Sequence, residues 1–171
     1  MRPCSRAPVR PAAGGWQTVP YIVYATGVTD SDGTIPPSDP AAYAHWATDT
    51  VRFSDQDAIG HINNVAVAAY VESGRVAFGR VSRSSGQPDK DFILARLVID
   101  YRSEGHYPGE VRVGTRVLRV GRTSVTVGHG VFLDGTCIAT AEGVMVHRRN
   151  GSSSPIEGEL RARLEGLRTP S

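Results

Sequence analysis

Between positions 55 and 64 the chain carries Asp55, Asp57, His61, Asn63 and Asn64, with Gly60 among them. This is its densest group of polar side chains next to an apolar segment. An aspartate with an unperturbed pKa of about 3.9 is a carboxylate at neutral pH, able to attack a carbonyl carbon or to take a proton from water. Asp57 is the candidate for that role. His61, Asn63 and Asn64 offer groups that orient a water or an acyl group. The same residue types also serve a purely architectural end, because Asp and Asn side chains satisfy the N–H groups of loops and helix starts. Both readings stand on chemistry alone. The chain has no GxSxG elbow, P-loop, HExxH or GxGxxG run, so the common nucleophile, phosphate-loop, zinc and dinucleotide signatures are absent.

The elements around this cluster are legible from periodicity. Residues 48–53 alternate β-branched or aromatic with polar residues, as a strand does. A polar loop follows, in which Gly60 permits an unusual backbone turn. A helix is expected from about 65 to 81, with Val67, Tyr70, Val71, Gly74, Ala77, Phe78 and Val81 on one buried face. Gly74 falls in that stripe, where it weakens the helix by up to about 1 kcal/mol but lets a sheet approach closely. The run at 84–88 ends the helix. Four strands follow at 92–103, 110–120, 124–133 and 136–148, expected to form an antiparallel meander. Tyr107-Pro108-Gly109 suggests a type II turn, Gly121-Arg122 a tight reversal, and Asp134-Gly135 a type I′ hairpin. One helix and a sheet with one greasy face imply an α+β fold in which the sheet wraps around the helix.

The 171 residues are 40% hydrophobic, enough for one domain with its core. Residues 1–45 are rich in Pro, Gly, Ser and Thr and are expected to be a largely disordered extension. The domain is expected at 46–148, and 149–171 as a linker with a short C-terminal helix. The formal charge of +2 comes from arginines scattered over strands and tails, Lys90 being the single lysine; this pattern argues against a nucleic-acid binder. No apolar run reaches the roughly 20 residues that span a bilayer, and no leader-like apolar stretch opens the chain, so a soluble cytoplasmic protein is expected. Cys4 and Cys137 lack metal-ligand spacing and read as reduced structural thiols. His45, His106, His129 and His147 show no ligand-like companions in sequence, and no metal site is expected. Trp46 and Tyr70 read as core aromatics or as the lining of an acyl pocket.

The run VRFSDQDAIGHINN at 51–64 resembles the opening signature of the 4-hydroxybenzoyl-CoA thioesterase-like hotdog family. ILARLVIDYR at 93–102, YPGEV at 107–111 and GRTSV at 121–125 are similar to successive strands and turns of that family. The resemblance covers residues 46–148. It implies a hotdog fold, an antiparallel sheet around one long central helix, and hydrolysis of an acyl-CoA thioester to a free acid and CoA. It assigns the catalytic carboxylate to Asp57, a structural role to Asp55, and supporting roles to His61, Asn63 and Asn64. Asn64 stands where other branches place histidine or tyrosine, which leaves open whether Asp57 attacks directly or acts as base. The resemblance also implies substrate contacts at Gly60, main-chain N–H groups around Asp91 to Ile93, Phe92 and Ile93 among them, that polarise the thioester carbonyl, and Arg122, Thr123 and Ser124 against the CoA phosphates. It implies a homodimer or homotetramer with sites at the subunit interface, needing no metal or bound cofactor beyond the CoA of the substrate. Rival expectations are an acyl-carrier-protein thioesterase, a non-catalytic acyl-CoA-binding dimer and, more remotely, a hotdog dehydratase.

Overall fold

A computed structural model describes residues 35–81 and 92–168. The expected N-terminal extension up to residue 34, the turn at 84–88 and Asp91 lie outside the described residues.

A short 3-10 turn, Pro40–Ala42, leads into strand β1 (His45–Val51). Helix α1 (Asn64–Val81) is followed by β2 (Phe92–Tyr101), β3 (Gly109–Val120), β4 (Ser124–Leu133), β5 (Thr136–Arg149), the two-residue β6 (Ser152–Ser153) and helix α2 (Gly158–Gly166). Among the described residues no helix is long and apolar enough to cross a membrane. Each expected element forms, with bounds shifted by a few residues. The largest shift is at the first strand, which begins at His45 and releases Phe53 into a 3-10 turn, where it is exposed against the edge of Tyr107.

All pairings among the five longer strands are antiparallel, in the order β1-β3-β4-β5-β2. The meander is therefore three strands, β3 to β5, rather than the expected four. β2 lies beyond β5 at one edge, and β3 starts near the other edge beside β1. Residues 102–108 carry the chain across the sheet end between them, so Tyr107-Pro108-Gly109, with a cis Tyr107–Pro108 bond, is part of a crossing and not a hairpin turn. The Asp134-Gly135 hairpin forms as its residue types require, both residues having positive φ (49° and 81°).

Helix α1 lies on the concave face of the curled sheet. Ala66, Val67, Tyr70, Val71 and Phe78 are buried, and a Cβ on Gly74 would collide with Val113 of β3, so the close approach read from the sequence is real. Around the first half of α1, Tyr70 and Val71 pack with Val111, Val113, Val131 and Ile138. Around its far end, Phe78 packs with Val117, Val125, Met145, Ile156 and Leu164, the last from α2.

The convex face is also covered, against the expectation of a single greasy face, and β4 is buried along nearly its whole length. Gly114 and Gly130 are direct cross-strand partners. A Cβ on either would come within 2.7 Å of the Tyr43 ring, so the pair forms a seat for that ring. Tyr43 then meets Trp46 and Phe132 edge to face, with Ala42 and Cys137 beside them. Packing thus extends beyond the expected limits of 46 and 148, through Ala42 and Tyr43 at one end and Ile156 and Leu164 at the other.

Candidate active site

The loop between β1 and α1 is built by its own polar side chains. Asp55 Oδ2 accepts from the Arg52 N–H at 2.8 Å and from the Tyr70 hydroxyl at 2.7 Å. The Asp55 carbonyl accepts from both the backbone N–H and the side-chain amide of Asn63, each at 2.8 Å. Asn63 Oδ1 in turn accepts from the Ala66 N–H at 2.8 Å, the bond of a helix cap. Asp55 and Asn63 are therefore framework: one holds the loop to the helix, the other starts it. Burial and the Asp55 carboxylate both hold the Tyr70 hydroxyl well above its usual pKa, so it stays a donor.

Asp57 closes a tighter turn within this frame. Its N–H donates to the His61 carbonyl at 2.8 Å, and its Oδ1 accepts from the N–H groups of Ile59 at 2.9 Å and His61 at 3.0 Å. Gly60 sits at φ +86° with open space where a Cβ would be, so the turn demands glycine for its backbone and not for room. Asp57 itself is exposed. Partial desolvation by the loop is the largest single influence and works to raise its carboxyl pKa. The N–H groups of Ile59 and His61, the His61 ring and the Gly60 N–H outweigh it, and the carboxyl is held below the usual carboxylate value. Among the described residues, hydrogen bonds to the Asp57 side chain engage only Oδ1.

Asp57, His61 and Asn64 line one open groove with Val67, Tyr101 and residues 102–105. Asn64 is the first residue of α1, so the positive end of the helix dipole faces the same groove. The groove's other wall is the crossing segment, fixed by an Ile62 N–H bond to the Gly105 carbonyl (2.8 Å) and a bridge pairing His61 with His106. His106 was expected to lack companions. The fold places its ring 5.1 Å from that of His61, with Glu104 between them in reach of both. The sequence offered one faint signal, a Ser-Glu-Gly-His run of polar residues directly after a strand.

The remaining expected substrate contacts lie elsewhere. Ile93 faces Val146 across β5, and Val146 faces Ser124 across β4, so Phe92, Ile93 and Ser124 share one end of the sheet. Tyr101, which lines the Asp57 groove, is at the other end of β2, about 30 Å away at the rise of an extended strand. At the Ile93 end, the turn around Arg122 and Thr123 is tied to the C-terminal segment: the Arg122 carbonyl accepts from Ile156 N–H (2.7 Å), and the Arg161 guanidinium donates to the Gly121 carbonyl (3.0 Å). Arg122 itself is exposed. One chain does not bring its two sets of expected site residues together.

Between the ends runs an apolar groove of about 310 Å³, lined by Val65, Ala68, Val71, Leu94, Leu97 and His129. His129 is 1% exposed; its Nδ1 bonds the Thr115 hydroxyl at 3.0 Å and its Nε2 has no partner. Burial, with the nearby Arg75 charge, pushes its pKa down to about 4, so the ring is neutral at pH 7. Nothing in the sequence distinguished this histidine from an ordinary strand residue.

The family model described as the thioesterase-like superfamily matches residues 51–164. An uncharacterised protein of Bacillus subtilis (strain 168), YsmA, is 31% identical over 109 residues, which are 63% of this chain and 74% of that protein. A thioesterase of Thermus thermophilus, solved in complex with coenzyme A and zinc, superimposes with a TM-score of 0.68 at 30% identity, covering 73% of this chain and 94% of that one. A predicted thioesterase of Bacillus stearothermophilus gives 0.66 at 26% identity, over 74% and 98% of the two chains.

Proposed function

We infer the activity from ancestry and geometry together: the chain belongs to the thioesterase-like superfamily, its fold is the hotdog fold, and we propose that it hydrolyses acyl-CoA thioesters at a site centred on Asp57. The observation that carries this reading is the asymmetry of that carboxylate. Oδ1 is clamped by two backbone N–H groups, which fixes the side chain and favours its ionised form, while Oδ2 takes no hydrogen bond among the described residues and the residue lines the groove. Such a group serves either as base, taking a proton from the water that attacks the thioester carbonyl, or as the attacking nucleophile. With Asp57 as base, the water adduct collapses with expulsion of the CoA thiolate, which takes up a proton, and the acid leaves; with Asp57 as nucleophile, the same expulsion leaves an acyl–aspartyl anhydride, which a water then hydrolyses to release the acid and restore the carboxylate. Asn64 and the α1 N-terminus favour negative charge at the carbonyl oxygen. His61 acts through its backbone N–H, and Asn63 and Asp55 as positioning residues.

The acyl group is assigned to the apolar groove that begins at Val65, next to Asn64. The CoA phosphates are assigned to the Arg122 turn, where a guanidinium forks well onto phosphate oxygens and Thr123 and Ser124 add hydroxyls. The relative solved with coenzyme A supports a CoA-type substrate.

Because the two sets of residues lie at opposite ends of β2, the site needs a second copy of the chain. β2 is an edge strand exposing Ile93, Leu94, Val98 and Tyr101, whereas the β1 edge is polar, with the Thr50 N–H taken by the Asp49 carboxylate. Antiparallel pairing of two β2 edges would set the Ile93 end of one chain beside the Tyr101 end of the other. A homodimer built this way completes two sites.

The test is free-thiol release from a panel of short, long and aromatic acyl-CoAs, with an acyl-carrier-protein thioester alongside. Wild type is expected to turn over at least one CoA thioester, and Asp57→Asn to lose about a thousandfold in kcat while remaining folded and dimeric. Near-normal turnover by the variant would remove Asp57 from the chemistry, and preference for the carrier-protein thioester would reassign the substrate.

A further inference from the structure

We propose that His61, Glu104 and His106 form a binding site for a divalent transition-metal cation of the zinc class, on the wall of the Asp57 groove. One donor atom from each of the three lies within 4.8 Å of the others. His61 Nε2 is 3.3 Å from Glu104 Oε2, and His106 Nε2 is 3.7 Å from Glu104 Oε1. Donors at about 2.0–2.2 Å from a tetrahedral zinc lie roughly 3.3–3.6 Å from one another, so the His61–Glu104 spacing already suits the ion and the His106–Glu104 spacing is close to it. The remaining spacings, all within 4.8 Å, close by rotation of the Glu104 and His106 side chains, which are about half exposed.

Two further features prepare the site. The backbone bridge between His61 and His106, with the Ile62 to Gly105 bond beside it, fixes the two histidines on adjacent extended segments independently of their rings. The His106 Nδ1 lies 3.2 Å from the Gly60 carbonyl, which can only accept, so Nδ1 carries a proton and Nε2, on the Glu104 side, is the nitrogen left to take a metal. A carbonyl holding the far nitrogen of an imidazole in the ligating tautomer is the usual support for a metal-bound histidine. Two imidazoles and one carboxylate suit zinc, nickel or cobalt and disfavour magnesium and calcium, which take oxygen donors. Three protein ligands leave a fourth position for water or a ligand group, and His61 and Glu104 line the same groove as Asp57. A simple ion pair of Glu104 with protonated histidines is the competing account of the same distances.

The metal site is independent of the thioesterase reading, and its test reads binding directly. Untagged full-length protein, stripped with a chelator, is titrated calorimetrically with Zn2+ and separately with Mg2+. One zinc per chain at micromolar affinity or tighter is expected, with no magnesium binding. His106→Gln and Glu104→Gln are each expected to weaken zinc at least tenfold with the circular dichroism spectrum unchanged; both side chains are about half exposed, so each isosteric change removes little packing. His45→Gln, outside the cluster, and Asp57→Asn are expected to bind zinc as wild type does. Co2+ added in place of zinc should give the intense visible absorption of a tetrahedral centre. Absence of saturable zinc binding, or equal binding by His106→Gln, overturns the site and leaves the ion-pair account.

Discussion

At one end of the sheet, polar loops are stacked over the N-terminus of α1, and side chains bond the backbone there, Asp55 with Arg52, Asn63 with Asp55 and Ala66, and Asp57 with Ile59 and His61, while the Tyr70 hydroxyl donates to the Asp55 carboxylate. At the other end, α2 and the segment before it close the core with Ile156 and Leu164 against Phe78, Val125 and Met145. The first end is ordered by directional bonds that leave a carboxylate oxygen open to a groove. The second is ordered by burial and presents a basic turn. On the proposed function the contrast is a division of labour: chemistry at Asp57 would need fixed angles, whereas holding a phosphate at the Arg122 turn would need only charge on a firm base.

The proposed joining of the two ends in a dimer carries the largest expected effect, and Val98→Glu on the β2 edge tests it. Charge at that edge is expected to convert dimer to monomer by sedimentation and to lower kcat/KM by about a thousandfold, as loss of positioning does; a fully active monomer would mean that one chain holds a complete site. Next, Ile156→Ala removes a side chain that is 1% exposed and should cost about 3 kcal/mol of unfolding free energy in urea. Its effect on kcat should be small, since it lies at the end away from Asp57. Tyr70→Phe at the opposite end deletes one hydrogen bond to Asp55 and should cost about 1–2 kcal/mol. Here kcat is expected to fall as well, because the Asp57 loop hangs on that bond; unchanged kcat would show the loop to be held by Asn63 alone. The smallest effect is expected from Arg122→Ala, a rise in KM for acyl-CoA of about tenfold with kcat preserved. A kcat loss there would blur the contrast between the ends.

Most of the secondary structure was legible because each element carries its own signal. The apolar stripe of α1, the alternation in β1 and the Asp134-Gly135 turn are local, and local sequence sets them. The site loop was legible for the same reason: Asp55 to Asn64 is one continuous segment whose side chains bond to its own backbone. Gly74 was readable as a point of close approach because a glycine in a buried stripe is unfavourable unless something packs there.

What the sequence left undecided depends on residues far apart in the chain. The placement of β2 beyond β5 follows from residues 102–108 crossing over the Asp57 loop, which strand periodicity does not encode. The burial of Tyr43 needs Gly114 and Gly130 paired across two strands. Glu104 and His106 become partners of His61 only because that crossing segment bridges to the loop, and His129 becomes a buried, neutral, half-bonded ring only because α1 covers it. The separation of Asp57 from Ile93 and Arg122 is likewise a matter of strand direction and order. The order of amino acids alone settles the elements and the polar segment able to do chemistry, because those rest on contacts within a few residues. Which distant side chains meet is set only in the folded chain, because contacts across a sheet depend on its order and register.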